Sequence, residues 1–227
     1  MALHFIEGNQ CFADSVDEIS ADFFVFASKH KSESGKPALT VHSIGNWGKA
    51  EMGGKDHSLV PTNSFLLKNY LLALQKQKGQ SQLPYDVCLE CAHHGPWLSK
   101  PTVFIELGSS EKQWRDKKAA EAIAKTIISS TSIEGNFRSA IGIGGTHYCP
   151  EFTKLVLKTD WALGHICPEY ALPFFNEEML QKAIAFTKPK PEAIILDWKG
   201  LGKEKVRLVE LLESQTLPVL RIKALLG

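Results

Sequence analysis

Short apolar runs alternate along the chain with longer stretches of helical periodicity. Asp22 to Ser28 (DFFVFAS) ends in Lys29-His30-Lys31, the pattern of a buried strand that opens into a polar loop. Pro37 to Ile44 is β-rich and stops at the turn Gly45-Asn46-Trp47-Gly48. From Asn63 to Gln77, Phe65, Leu66, Tyr70 and Leu74 recur at helical spacing behind an asparagine that can cap the helix. Tyr85–Glu90 and Thr102–Leu107 read as strands on either side of a His93-His94-Gly95-Pro96 corner. Glu111–Ile128 reads as one long helix with Trp114, Ala119, Ile123 and Ile127 inward, and Ser110 with Gln113 has the form of a capping box. Ser139–Gly145 and Trp161–Ile166 are further strands. Glu177–Phe186 is an amphipathic helix that Pro189-Lys190-Pro191 ends, and Glu192–Trp198, Glu204–Ser214 and Val219–Ile222 follow as strand, helix and strand. This alternation predicts a three-layer α/β fold around a mostly parallel or mixed sheet, in one domain over residues 1–227.

A chain of 227 residues can bury a sizeable core, and 44% hydrophobic with 22% charged residues excludes a disordered or collagen-like chain. Lys+Arg 26 against Asp+Glu 25 leaves a formal charge of +1, so a polyanion must be met by a local patch and not by a global field. No apolar run reaches the roughly 20 residues of a membrane span, and no basic flank with an apolar stretch opens the chain; a soluble, cytoplasmic protein with no membrane partner is expected. The five cysteines, an odd number, are expected to be reduced thiols.

Polar residues gather just past the ends of predicted strands, where open α/β sheets place their ligands. His93 and His94 can bind zinc or move a proton if Gly95-Pro96 turns the chain, and are otherwise two loop histidines. Glu106, inside the apolar FIELG, is costly to bury unless it is paired or faces a cation; the alternative is a solvent-facing strand edge. Gly144-Gly145-Thr146-His147 follows a strand, so its glycines allow close backbone approach and present His147 at the sheet rim. It matches neither a dinucleotide fingerprint nor a Walker loop. His42, Asn46 and Trp47 form a fourth group, in which Trp47 is either a stacking platform or core. Cys88-x-x-Cys91 has zinc-clamp spacing, but Cys88 falls in a strand and no second pair is near in sequence. Lys29, His30, Lys31 and Lys36, with Lys112, Arg115, Lys117 and Lys118, are a solvated surface or, if they flank the histidine cleft, a phosphate track.

Phe26–Gly48, His93-His94-Gly95-Pro96 with Pro101–Trp114, Gly142–Thr153 and Ala162–His165 together resemble the archaeal and plant type of D-aminoacyl-tRNA deacylase, in the same order over most of the chain. The resemblance implies a fold akin to nucleoside phosphorylases and peptidyl-tRNA hydrolases. It also implies a zinc-dependent hydrolase that cuts the ester between a D-amino acid and tRNA. Zinc would be held by a subset of His93, His94, Glu106 and His147, which are also the expected catalytic groups, with Glu106 a base if it is not a ligand. His42, Asn46, Trp47, Gly144, Gly145, Thr146, His165, Lys29 and Lys31 are the expected substrate contacts, the glycine N–H groups serving an oxyanion. D-aminoacyl-tRNA is the expected partner and DNA is not; a monomer is expected, with weak dimerisation open. The sequence departs from the family pattern in having Ala92 in place of threonine and Thr146 in place of glycine, and is expected to lack the further strand and helix that the family carries before the point matching Met1. The competing expectation is a non-catalytic tRNA- or nucleotide-binding protein whose activity went with that strand.

Overall fold

The computed structural model describes residues 1–130 and 135–227. In chain order the strands and helices are β1 (Phe24–Lys31), β2 (Ala38–His42), β3 (Gly45–Asn46), β4 (Ser58–Leu59), β5 (Thr62–Asn63), α1 (Ser64–Ser81), β6 (Asp86–Leu89) and β7 (Thr102–Ser109). Then come α2 (Glu111–Trp114), α3 (Lys117–Ser129), β8 (Arg138–Ile143), α4 (Pro150–Lys158), β9 (Trp161–Cys167), α5 (Glu177–Phe186), β10 (Thr187–Lys188), β11 (Ala193–Leu196), α6 (Lys205–Glu213), β12 (Val219–Arg221) and α7 (Ile222–Leu226). The result is a layered, mixed α/β fold with two four-stranded sheets. One, ordered β1-β7-β2-β6, has antiparallel β2 against β7 at its centre; the other, β12-β11-β8-β9, is parallel throughout.

Strand alternation sorts side chains to two faces. In the first sheet Leu39, Val41, Val87, Leu89, Val103, Ile105 and Leu107 face the main core with Leu66, Tyr70, Leu74, Ala119 and Ile123 of α1 and α3. In the second, Ala140, Ala193 and Ile195 join that same core, while Ile141, Ile143, Ile194 and Leu196 meet Met179, Leu180, Leu208 and Leu212 of α5 and α6. The other face of the first sheet is covered by chain instead of helix: Phe26 and Phe104 pack with Ala13, Ile44, Val60 and Leu98. The loop after β6 crosses between the sheets, with the Cys91 N–H donating to His147 O at 2.9 Å and the Ala92 N–H to Ile166 O at 3.0 Å.

Asn63 caps α1 as expected, its Oδ1 accepting from the Leu66 N–H at 3.0 Å. The single helix expected over Glu111–Ile128 is two. Asp116 accepts from the Lys118 and Ala119 N–H groups at 2.9 and 3.2 Å and so starts a new helix where periodicity alone would continue the old one. Ser110 makes no capping box, since its hydroxyl donates to Gln113 Oε1 at 2.6 Å and takes no backbone N–H. β1 runs past Ser28 to Lys31 because β7 supplies a parallel partner for each residue up to Ser109. α4, with Pro150 in its first turn, is a helix that the sequence pattern does not predict.

Lys68 links α1 to the second sheet from a buried position, its Nζ donating to Trp161 O at 2.9 Å and also to Thr159 O. Burial lowers its pKa to about 8. Replacing it with methionine strands both carbonyls without a donor. Lys68→Met should therefore lose about 1–3 kcal/mol of stability, seen as a lower urea midpoint at unchanged slope.

Candidate functional site

Four ionisable side chains rise from one face of the first sheet. Glu106 stands opposite Ser28 of β1 and Thr40 of β2, so His30 and His42, each two residues along its strand, reach it diagonally. His30 Nδ1 donates to Glu106 Oε2 at 3.2 Å, and His42 Nε2 lies 3.6 Å from the same oxygen. Glu90 leaves β6 on the same side, since Cys88 pairs with Thr40 two residues earlier, and its Oε1 is 3.4 Å from His30 Nδ1. Both carboxylates are nearly sealed from solvent, at 2% exposure for Glu90 and 4% for Glu106.

Loops bring three more imidazoles over this layer. His93 bridges to Ile44, and the backbone turns back through His94, at φ +48°, into Gly95-Pro96. A side chain on Gly95 would strike Gly54 N and Cys11 O, so glycine is required for the His-His corner to sit this low. His147 arrives from the end of β8, and its Nε2 donates to Glu90 Oε2 at 2.8 Å. The ring centroids of His42, His94 and His147 lie 4.5, 4.4 and 4.5 Å from that of His93.

Proton placement in the His42–His93–His94 trio follows from backbone carbonyls, which can only accept. Nδ1 of His42 donates to Ser43 O at 3.0 Å, that of His93 to Cys91 O at 2.9 Å, and that of His94 to Gly95 O. Each neutral ring therefore presents Nε2 as a lone pair. Nε2 of His42 is buried with no hydrogen-bond partner. One ligand atom from each of His42, His93 and His94 falls within 4.8 Å of the others, and so do those of Cys91, His93 and His147 and of His30, Glu90 and Glu106. The three groups adjoin one another, two of them sharing His93.

The surroundings separate these groups electrically. Burial, with the neighbouring imidazoles, pushes His93 well below the ordinary histidine value and His94 down to about 4. Burial also works against charge on His42, but Glu106 and Glu90 beside it raise its pKa. His147 is likewise opposed by burial, yet Cys91 and Glu90 bring it up to about 10. Burial disfavours the carboxylates' charge, and the imidazoles overcome this: His147, His42 and His30 hold Glu90 below the usual range, and His30 and His42 hold Glu106 well below it.

Of the residues singled out from the sequence, His42, His93, His94, Glu106 and His147 are brought together here. Others go elsewhere. Trp47 is buried against Phe175 and donates to Ile166 O at 3.2 Å, so it is core and no stacking platform. Asn46 braces a loop through Gly53 O and Lys55 O. His165 is wholly buried with both nitrogens engaged, by Thr187 Oγ1 and Val60 O, each at 2.9 Å, which leaves nothing for a substrate. The Gly144 N–H is taken by Cys167 O at 2.8 Å, and Gly144 and Gly145 are small because the Asp197–Gly200 turn packs on them, so Gly144 offers no oxyanion donor. Thr146, Lys29 and Lys31 are exposed, with the Lys29 ammonium 5.2 Å from the Trp114 ring centre. Cys88 joins none of the three ligand groups, so the Cys-x-x-Cys clamp does not form, and Ala92 lies in the apolar cluster of Trp47 and Leu59.

Glu90 has no expected site role in the sequence, His30 is expected only in a basic surface track, and Cys91 only in a Cys-x-x-Cys clamp. Two tyrosines with no expected role also join the site: the Tyr148 hydroxyl lies 2.7 Å from His30 Nε2, and the Tyr170 hydroxyl 3.3 Å from Cys91 Sγ. Glu90 carried a usable signal: like Glu106, it falls on the alternate positions of an apolar strand, three residues before a histidine.

The family model for D-aminoacyl-tRNA deacylase matches residues 17–220. The chain belongs to the D-aminoacyl-tRNA deacylase family. It is similar to the D-aminoacyl-tRNA deacylase of Thermococcus kodakarensis, at 46% identity over 80% of this chain and 66% of that protein. The Pyrococcus furiosus enzyme of the same name is 42% identical over 87% of this chain and 72% of its own length, and that of Archaeoglobus fulgidus 36% over 93% and 78%. A solved structure described as a conserved protein of unknown function superposes with a TM-score of 0.88 at 34% identity, covering 96% of this chain and 79% of that one. Among the described residues of this deacylase-family chain, no helix is long and apolar enough to cross a membrane.

Because Glu90 is buried against His30, His93 and His147, removing its charge leaves its partners facing a neutral group. Glu90→Gln should lower the unfolding free energy by on the order of 3 kcal/mol. Lys29→Ala, on the exposed strand edge, should change it by less than about 0.5 kcal/mol in the same denaturant titration.

Proposed function

We propose that this chain hydrolyses the ester of D-aminoacyl-tRNA, releasing the D-amino acid and tRNA, with a metal ion at the histidine trio. The observation that carries the reading is the unpartnered, buried Nε2 of His42 converging with ligand atoms of His93 and His94. Left alone, that nitrogen is satisfied against Glu106 only by protonation; a bound cation would stand in the proton's place without disturbing Nδ1. Three neutral imidazoles, oriented by carbonyls and with a carboxylate behind them, match the donor set of a catalytic zinc site that keeps one position open. In this reading His42, expected from the sequence as a substrate contact, joins His93 and His94 as a ligand, while Glu106 and His147, the other members of the expected set, take other roles. An ion held there by His42, His93 and His94 would supply Lewis-acid polarisation of an ester carbonyl and acidification of water.

The chain's own groups supply the rest. Glu90 holds His147 at Nε2, leaving the edge at Nδ1 beside Tyr170 and Cys91 half-open to solvent. Kept protonated, His147 is a hydrogen-bond donor for charge that develops on a carbonyl or departing ribose oxygen. The neutral His93 and His94 and the charged His147 lie side by side, so opposite proton demands are met within one pocket. Glu106 anchors His30 and His42 and sets the depth of the layer.

Hydrolysis of matched D- and L-tyrosyl-tRNA tests the reading. Release from the D-ester should fall on chelation and return with added zinc. His94→Ala should bind zinc at least about tenfold more weakly and turn over at least about tenfold more slowly. tRNA binding without ester loss by zinc-loaded protein would favour the non-catalytic binding module instead.

A further inference from the structure

The site is lined by histidines and carboxylates, which leaves open what holds the nucleotide. Trp97, Trp114, Trp161 and Trp198 each have a lysine or arginine over the ring, at 3.2 Å from Lys55, 5.2 Å from Lys29, 4.0 Å from Arg138 and 3.5 Å from Arg221. Trp47 is core. The tryptophans, the obvious residues for stacking on a base, are all occupied.

Tyr170 is different. The residue is 59% exposed, yet its hydroxyl is fixed inside the site, 3.3 Å from Cys91 Sγ and 3.4 Å from His147 Nδ1. The ring lies nearly parallel to that of His147, at 19°, with centroids 6.4 Å apart. Among the described residues no lysine or arginine lies over it.

In a nucleoside, the base and the 3′-oxygen hang from one sugar ring. A platform for the base must therefore stand within a sugar's width of the groups that attack an ester at that oxygen. Tyr170 stands within that reach of His147, 6.4 Å between ring centroids, with an exposed residue surface and an anchored hydroxyl. We propose that Tyr170 is the stacking platform for the nucleobase of the 3′-terminal nucleotide of an RNA strand, which rests on the reading of the site as an aminoacyl-tRNA ester hydrolase. Stacking of this kind tolerates any base and is weakened substantially by loss of the ring.

The test is binding of a fluorescein-labelled single-stranded RNA ending in CCA to zinc-loaded protein, measured by anisotropy. Tyr170→Phe should bind as the native chain does, and Tyr170→Ala roughly five- to a hundredfold more weakly. The same RNA with an abasic 3′-terminal residue should lose a similar factor with native protein and nothing further with Tyr170→Ala. Equal binding of intact and abasic strands by native protein would overturn the proposal even if Tyr170→Ala failed to fold. Free AMP bound as tightly as the RNA would assign the platform to a mononucleotide and overturn its assignment to a strand. A native chain that prefers the intact terminal base yet releases no D-amino acid would support the platform and sink the hydrolase reading. Hydrolysis of D-tyrosyl-tRNA with KM unmoved in Tyr170→Ala would do the reverse.

Discussion

Two carboxylates, Glu90 and Glu106, lie in a layer of protein that water barely reaches. A buried anion is tolerable only if charge or hydrogen bonds replace its hydration. The chain meets that demand with imidazoles from four places: His30 on β1, His42 on β2, His93 and His94 in the loop after β6, and His147 after β8. Both sheets contribute, so the pairing that neutralises the anions also pins the crossing loop and the β8 rim above the first sheet. The site is in this sense part of the core, and its chemistry depends on the same contacts that hold the layers together.

Antiparallel β2 is what makes the layer possible. A parallel neighbour would carry its polar end to the same rim as β7. Running the other way, β2 brings His42 down beside Phe104 and within reach of Glu106. β1, parallel to β7, carries His30 past Glu106 from the opposite side. The carboxylate is thus gripped by two strands of opposite sense. The loop segments that close this face need glycine at Gly53, Gly54 and Gly95, where a Cβ would meet neighbouring backbone or the Asn46 amide.

Much of the layout was legible along the chain. Leu39, Val41, Ile105 and Leu107 announce strands, Asn63 announces the start of α1, and Glu106 stands out because a carboxylate amid apolar residues needs a partner. The His93-His94-Gly95-Pro96 corner and the Gly144-Gly145 rim likewise drew attention to the correct loops. Where the structure departs from the sequence pattern, competing uses of the same residue type were decided by packing. Trp47 and His165 look like binding groups until the layers close over them. Asp116 interrupts a helical pattern because its side chain takes two N–H groups for itself.

The sequence by itself determined the alternation of strands and helices, the apolar faces that must be buried, the family, and a short roster of residues too polar for their surroundings. Tertiary structure decided which of those meet. His30 and His147 are 117 positions apart, and their ring centroids are 6.3 Å apart only because two sheets present their rims to one another. Which nitrogen of each imidazole is bare was settled by carbonyls of Ser43, Cys91 and Gly95. The physical reason is the range of the forces. Hydrophobic periodicity is a local property written into successive residues, whereas desolvation, charge pairing and tautomer choice depend on whatever the folded chain places within a few ångströms.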